Sequence, residues 1–395
     1  MKTIRIFALL FGLVMASACT DGNFTMNTEI RADGTCSRDI WFKADSATLV
    51  DSTREQTGLV RDVINNAAWQ KRVWINDSSD DLSYPLSPAQ YDSLASLLSA
   101  GGKSLADTLS IHASREFSSV GEMAANWPVF IDGERLKAEA KLEKKFRWFY
   151  TDYTFCETFE CLMPKFGLPL TDFLTQDEVD FWLKGEPNLF EGVPGMEMSG
   201  SLEAYEKIVS RWVNANLCND DALAIAKYYD SIPNPPMSRK AFVAKWDSLV
   251  RNLDNFPTTW FDKPQYFVFQ NAFNSDFYQK LSEIEFWKKK FDEKNSFYVD
   301  LMALDCDYNV ISMPGKIEEA PQEVFESNHV PYTYHYNHTR SGFHYRLKGY
   351  NLLASDYKFV VCSREKNIWA YVVTVVFALG LLFFAVRYLW RNGRR

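Results

Sequence analysis

The chain has 395 residues, 43 Lys and Arg against 51 Asp and Glu, a formal net charge of −8 and 47% hydrophobic residues. That composition is globular and long enough to bury a full core, which excludes a disordered or collagen-like chain. Its acidity argues against a nucleic-acid partner.

Met1 to Ala18 has the layout of a secretory signal: basic Lys2 and Arg5, an apolar run from Ile6 to Met15, then Ala16, Ser17 and Ala18. Cleavage after Ala18 would make Cys19 the first mature residue and a candidate lipid attachment point. In the following stretch, Phe24, Met26 and Ile30 alternate with polar residues before a turn at Asp33-Gly34. A three-residue loop with Gly34 in a left-handed bulge aligns Ile30 with Cys36, Met26 with Ile40 and Phe24 with Phe42 on one face. Asn76 to Asp81 lacks the central Gly and closing Glu of a calcium loop and reads as a solvated turn. A helix opened by Ser87-Pro-Ala-Gln90 is expected to carry Tyr91, Leu94 and Leu98 and to stop at Gly101-Gly102.

From Leu136 to Tyr150 the residue types favour helix, yet the charges recur at every second position, so the spacing predicts one long, half-exposed strand. That strand is expected to become apolar on both faces through Tyr153, Phe155 and Phe159. Between about Pro164 and Asn295 the period becomes helical. Thr175 to Glu178 is a capping box, and apolar stripes follow at Leu202, Tyr205, Val209 and Trp212, at Phe242, Trp246, Leu249 and Leu253, and at Phe277, Leu281, Ile284 and Phe291. Such stripes read as core. Strands are expected again from Phe297, through "FYVDLMALDC", "YTYHYNH", "FHYRLKGYNL" and "YKFVVC".

Ile368 to Val386 is free of charge and close to the roughly 20 residues needed to cross a bilayer. Aromatic residues flank it, and Arg387, Arg391, Arg394 and Arg395 follow without an acid, which predicts a single-pass protein with its C-terminus in the cytoplasm. The remainder, expected outside the cytoplasm, carries 37 bases against 51 acids, a net of about −14 that repels nucleic acid and anionic headgroups alike. Thr374 and Ala378 have small-residue spacing of the kind that pairs membrane helices.

The expected fold class is therefore α+β. N- and C-terminal strands form an antiparallel β-rich ectodomain with a central helical insertion, followed by one C-terminal transmembrane helix. The expected divisions are a signal peptide at 1–18, an N-terminal β-rich part at 19–163, the helical insertion at 164–295, a C-terminal β part at 296–367, the membrane helix at 368–386 and a cytoplasmic tail at 387–395.

Cys36, Cys156, Cys161, Cys218, Cys306 and Cys362 are disulfide candidates in an oxidising compartment, with the alternative that several are small buried side chains. His329, His335, His338 and His344 cluster in sequence, and His335 and His338 are the metal candidates. On a strand, however, their spacing points them to opposite faces. Glu157 and Glu160, flanked by Phe155 and Phe159, are the only paired carboxylates singled out as general acid and base. Phosphate-loop, nucleophile-elbow, zinc-protease and dinucleotide motifs do not occur, and no cofactor is expected.

Cys19 followed by strand, Asp33-Gly34 and strand, together with a C-terminal "SMPGKI" region that runs into a membrane helix, resembles the LppM-like group of bacterial envelope lipoproteins. It is similar also to membrane-anchored lipoproteins of Bacteroidota. The resemblance implies a non-enzymatic lipoprotein of the bacterial inner membrane. Its ectodomain would lie in the periplasm, and its partners would be the lipid bilayer and an envelope protein or glycolipid. The alternatives are an extracytoplasmic hydrolase and a membrane sensor acting through a partner.

Overall fold

The computed structural model describes residues 23–43, 66–77, 82–85, 109–184, 189–258, 264–318, 332–336, 340–354 and 357–392, with single positions between 63 and 96. Met1 to Ala18, Cys19, Tyr91, Leu94, Leu98, Gly101-Gly102, His329, His338 and the last three residues lie outside the described residues.

In chain order the strands are β1 (Asn23–Ile30), β2 (Cys36–Lys43), β3 (Gln70–Asp77), β4 (Leu82–Pro85), β5 (Leu109–Phe117), β6 (Phe130–Ile131), β7 (Glu134–Arg135), β8 (Ala138–Phe146) and β9 (Tyr150–Phe159). After the helices come β10 (Asp305–Ser312), β11 (Lys316–Ile317), β12 (Tyr332–Tyr336), β13 (Arg340–Lys348) and β14 (Lys358–Lys366). The helices are α1 (Val120–Ala125), α2 (Gln176–Lys184), α3 (Gly195–Lys227), α4 (Arg239–Leu249), α5 (Pro264–Phe273), α6 (Phe277–Ser282), α7 (Glu285–Ala303) and α8 (Ile368–Asn392).

The first hairpin has the expected register: Ile30 faces Cys36, Met26 faces Ile40 and Phe24 faces Phe42. Gly34 has φ +89°, and the Arg31 and Gly34 amides close the loop on Thr35 O and Arg31 O. Strands from the two ends of the chain then merge into one eight-stranded sheet, ordered β12-β13-β10-β1-β2-β5-β3-β4. Its single parallel seam is β1 on β10. A second, antiparallel sheet is ordered β11-β14-β9-β8 and stacks on the first, with Phe359 of β14 against Tyr308 of β10 and Tyr345 of β13. The chain is thus α+β, with antiparallel-rich sheets and one C-terminal apolar helix.

Three sequence expectations need correction. The single long strand from Leu136 is a hairpin, because the chain reverses at Arg147–Tyr150, where the Arg147 amide donates to Tyr150 O. β9 is not apolar on both faces: Thr151, Tyr153, Phe155, Glu157 and Phe159 are buried, while the alternate positions are half-buried. The strand expected from Phe297 begins at Asp305, since Phe297, Leu301 and Leu304 bury at helical spacing and Val299, which a strand would hide with them, is exposed. The apolar C-terminal helix also runs six residues past Val386, to Asn392. At 25 residues it is about 37 Å long, enough to cross a ~30 Å hydrocarbon core.

The helices α2 to α7 lie between β9 and β10 in the chain, and their buried side chains are continuous with those of both sheets. The Thr175 capping box forms as expected: Glu178 accepts from the Thr175 amide and hydroxyl, and Thr175 Oγ1 accepts from the Glu178 amide. Gly349 sits so near α7 that a Cβ there would lie 1.6 Å from Leu301 O, and its amide donates to Leu304 O. The centre of the helices is α3, 33 residues long, whose inner face is partly polar. Asn216 exchanges hydrogen bonds with both backbone groups of Leu168, Asn214 donates to Pro257 O, and Asn219 accepts from Trp246 Nε1. Asn214 and Asn216 thus partner irregular backbone at Pro257 and Leu168, and Asn219 partners a buried indole.

Asp221 on the same helix is buried, and burial pushes its carboxyl up to about 7, against the hydrogen bond it accepts from Tyr278. A carboxyl whose folded pKa lies above its unfolded value stabilises the fold fully below the unfolded pKa, near 3.8, and that contribution is lost as pH rises through about 7. We therefore expect stability to fall between about pH 4 and pH 7 by on the order of 4 kcal/mol from this group. Asp221→Asn should flatten that slope, as read by urea unfolding midpoints at pH 5 and pH 8; equal slopes in variant and parent would refute the assignment.

Candidate functional site

In β2 the inward positions are Cys36, Arg38, Ile40 and Phe42; in β9 they are Thr151, Tyr153, Phe155, Glu157 and Phe159. Each strand thus carries one charge inside an otherwise buried register, of opposite sign. The sheets stack so that the two meet: Arg38 Nη2 lies 3.1 Å from both Glu157 oxygens, and both side chains are 0% exposed. Tyr308 of β10 donates to Glu157 Oε2 at 2.9 Å and accepts from Arg38 Nη2 at 3.0 Å and from Thr28 Oγ1 at 3.2 Å. The guanidinium lies over the Trp127 ring at 4.4 Å, which supplies a π face where Nη1 has no hydrogen-bond partner among the described residues.

Burial alone would lower the Arg38 pKa, but the charges of Glu157 and Tyr308 and the hydrogen bonds to both together outweigh it, and the guanidinium stays protonated. Burial, then the Glu157 charge, drives the Tyr308 hydroxyl far above its ordinary value, so it remains a donor. The cluster is a sealed inter-sheet lock, with strands from both ends of the chain contributing.

A second constellation lies where β14 meets α8. β14 ends at Lys366 and α8 begins at Ile368, so Asn367 alone separates them. Its amide donates to Phe149 O at 2.9 Å, and its Nδ2 donates to Arg147 O and Trp148 O at 2.7 and 3.2 Å. Its Oδ1 accepts from Thr151 Oγ1 at 3.0 Å. Asp152 accepts from Arg364 and Arg147, and the Arg364 hydrogen bond holds its carboxyl below the usual range. One side chain thus ties the β8–β9 turn to the first residue of the apolar helix, with no slack chain between.

The residues singled out in the sequence are scattered. Glu157 is inside the lock. Glu160 lies beyond the end of β9, where it accepts from the Lys137 amide at 3.1 Å and pairs with Lys137 Nζ. His335 sits in β12 opposite Ser341 of β13. His344, on β13, meets Asn309 Oδ1 through Nδ1 at 2.7 Å. Among the described residues no group of three or more His, Cys, Asp or Glu is placed to hold a metal. Cys36, Cys156, Cys161, Cys218, Cys306 and Cys362 are all free thiols. Cys36, Cys218 and Cys306 are buried within the core, and burial drives the Cys36 thiol up to about 11 and holds the other two well above the ordinary thiol value.

Arg38 was not singled out in the sequence, though the hairpin register places it between Cys36 and Ile40 on the core face. A charge at a strictly inward position is the signal that finds it. The Asn367 junction has no such signal, because its partners are backbone carbonyls of a turn.

Arg38→Met should destabilise the protein by about 3–5 kcal/mol, because it leaves Glu157 buried and unpaired. The double variant Arg38→Met with Glu157→Leu should recover most of that loss. Denaturant unfolding of the full chain in detergent checks both, and a double variant as unstable as the single one would argue against a pure pairing role.

No protein-family model, curated protein or solved structure matches the chain.

Proposed function

We propose that this chain is a non-enzymatic, membrane-anchored protein of the bacterial envelope that presents its helices to another envelope component at a fixed height and orientation. The observation that carries this reading is the single-residue junction at Asn367, closed by hydrogen bonds on both its backbone and its side chain. A tethered enzyme that must meet diffusing substrate gains from slack between catalytic part and anchor; a docking protein gains from its removal.

Other features support the reading. The secretory layout of Met1 to Ala18 and the Arg-rich end after α8 favour an extracytoplasmic body with a cytoplasmic C-terminus. Away from α8 and its junction, the large apolar side chains left exposed among the described residues are Val360 of β14 and Leu223, Phe267, Ile284, Phe286 and Val299, and the last five belong to the helices α3, α5 and α7 or the turn into α7. Exposed apolar side chains on helices are the usual raw material of a protein interface. The hydrolase alternative loses its general acid–base pair, since Glu157 is sealed between sheets and Glu160 is held by Lys137.

Photo-crosslinking residues placed at Leu223 and Phe286 of the full chain in its native membranes should give a discrete heavier adduct. A short flexible Gly-Ser insertion after Asn367 should abolish it while membrane insertion and folding persist. Absence of any adduct would sink the binding reading, and an adduct indifferent to the insertion would sink the fixed orientation.

A further inference from the structure

The β8–β9 turn carries large rings into solvent. Phe146 is 56% exposed, Trp148 47% and Phe149 38%, beside Trp369 at 52% and Tyr371 at 44% on the first turn of α8. The rings are not scattered. Phe146 stacks on Trp369 at 6.2 Å, Trp148 meets the same indole edge-on at 5.4 Å, and Phe149 meets Tyr371 at 4.9 Å. The five aromatic side chains come from two elements, in one group of three and one pair, and all five remain exposed.

The depth of the contact along α8 is informative. Trp148 Nε1 donates to Thr374 Oγ1 at 2.9 Å, and Thr374 in turn donates to Ala370 O at 2.7 Å. Thr374 stands six residues into α8, roughly 9 Å along the axis at 1.5 Å per residue. Beyond Asn367 the helix has no charged residue until Arg387. If α8 crosses a bilayer from its first residues, the indole lies below the level at which water can satisfy its N–H, and the protein supplies the acceptor instead. The carbonyls of Arg147 and Trp148 are likewise taken by Asn367, so the tip of the turn exposes rings and few bare polar groups.

The charges change sign toward the same tip. Between Glu143 and Phe149 the sequence holds Lys144, Lys145 and Arg147 against one acid, in a chain that is otherwise strongly acidic before α8. Lys144 and Lys145 are exposed, and Lys144 also lies over the Tyr153 ring. Bases just above an aromatic tip are placed to meet lipid phosphates at headgroup level.

We propose that the β8–β9 turn is a second membrane contact: Phe146, Trp148 and Phe149 insert into the leaflet that α8 enters, beside Trp369 and Tyr371, while Lys144, Lys145 and Arg147 engage phospholipid headgroups. The overall negative charge before α8 does not oppose this, because screening limits the headgroup field to about 8 Å at physiological salt and the nearby Asp152 is paired with Arg147 and Arg364. A lone helix leaves the body free to tilt against the bilayer; a turn inserted beside that helix opposes the tilt. The proposal needs α8 to cross a bilayer and is independent of any partner bound at the helices.

The test uses the full chain in nanodiscs of phosphatidylcholine and phosphatidylglycerol whose acyl chains carry a diazirine, with adducts mapped by mass spectrometry after photolysis. Adducts are expected on the peptide containing residues 146–149 as well as on α8. Adducts confined to α8, with the turn modified by a water-soluble carbene reagent instead, would overturn the proposal. Adducts on neither would overturn membrane insertion itself, so the two failures are distinguishable. Trp148→Ser with Phe149→Ser should lose the turn adducts and keep those on α8. Since that variant removes the Thr374 hydrogen bond, Trp148→Phe serves beside it and should retain lipid adducts at the turn; their loss there would show that the fold of the turn, not its apolarity, made the contact.

Discussion

The buried charge of Arg38 is the constraint around which the extramembrane structure is arranged. A guanidinium with 0% exposure needs an anion within reach, and Glu157 is that anion. The two come from different sheets, so the pair closes only when β2 and β9 face each other in one register. Tyr308 extends the condition to β10, Thr28 to β1 and Trp127 to the segment after α1. Breaking any of these contacts leaves a desolvated charge, so the lock acts mainly against wrong arrangements of the two sheets. An apolar substitute of similar volume could equal it in stability but would accept neighbouring registers as well.

Much of this was readable from residue order, and the failures have physical causes. The β1–β2 register followed from alternation and Asp33-Gly34, because a one-residue slip would have turned every apolar side chain outward. Thr175-Glu178 and the apolar C-terminal helix were equally plain, since capping boxes and charge-free spans depend on local chemistry alone. The β8–β9 reversal was hidden because Arg147-Trp-Phe-Tyr150 holds none of Gly, Pro, Asn or Asp; the turn is stabilised by Asn367, over two hundred residues away in sequence. α3 was legible only in part. Its stripe at Tyr205, Val209 and Trp212 continues into Asn214, Asn216, Asn219 and Asp221, whose burial depends on partners in distant segments. Phe297 to Ala303 was misread because short apolar runs fit a strand or a helix equally, and the exposure of Val299 decides between them.

The site candidates fared according to whether their logic was local. Glu157 stood out as a carboxylate between aromatic residues and was read as half of an acid–base pair in a cleft; it lies instead between the sheets, paired with Arg38. The same alternation that buries Phe155 and Phe159 buries Glu157 with them. Arg38 was the unread half of the pair. Taken together, one acid and one base at inward positions of two different strands predict a salt bridge between sheets more directly than either predicts chemistry.

β9 connects the two constellations. It leaves the turn at Tyr150 and reaches Glu157 seven residues later, about 23 Å at 3.3 Å per residue. Nine of its ten residues pair with β14, from Tyr150 on Lys366 to Thr158 on Lys358, and after β14 only Asn367 precedes α8. A load applied at the membrane end is therefore carried by a nine-residue antiparallel ladder in shear before it reaches the Arg38 lock, and from there it passes to the eight-stranded sheet. For the body to turn relative to α8, the Asn367 hydrogen bonds to the β8–β9 turn and the Trp148–Thr374 bond would have to break, whereas a flexible linker would yield one torsion at a time. A chain that needed only retention at a membrane could use α8 and a slack tether. The continuous path from α8 through β14 and β9 to a fully desolvated ion pair is what a fixed orientation requires.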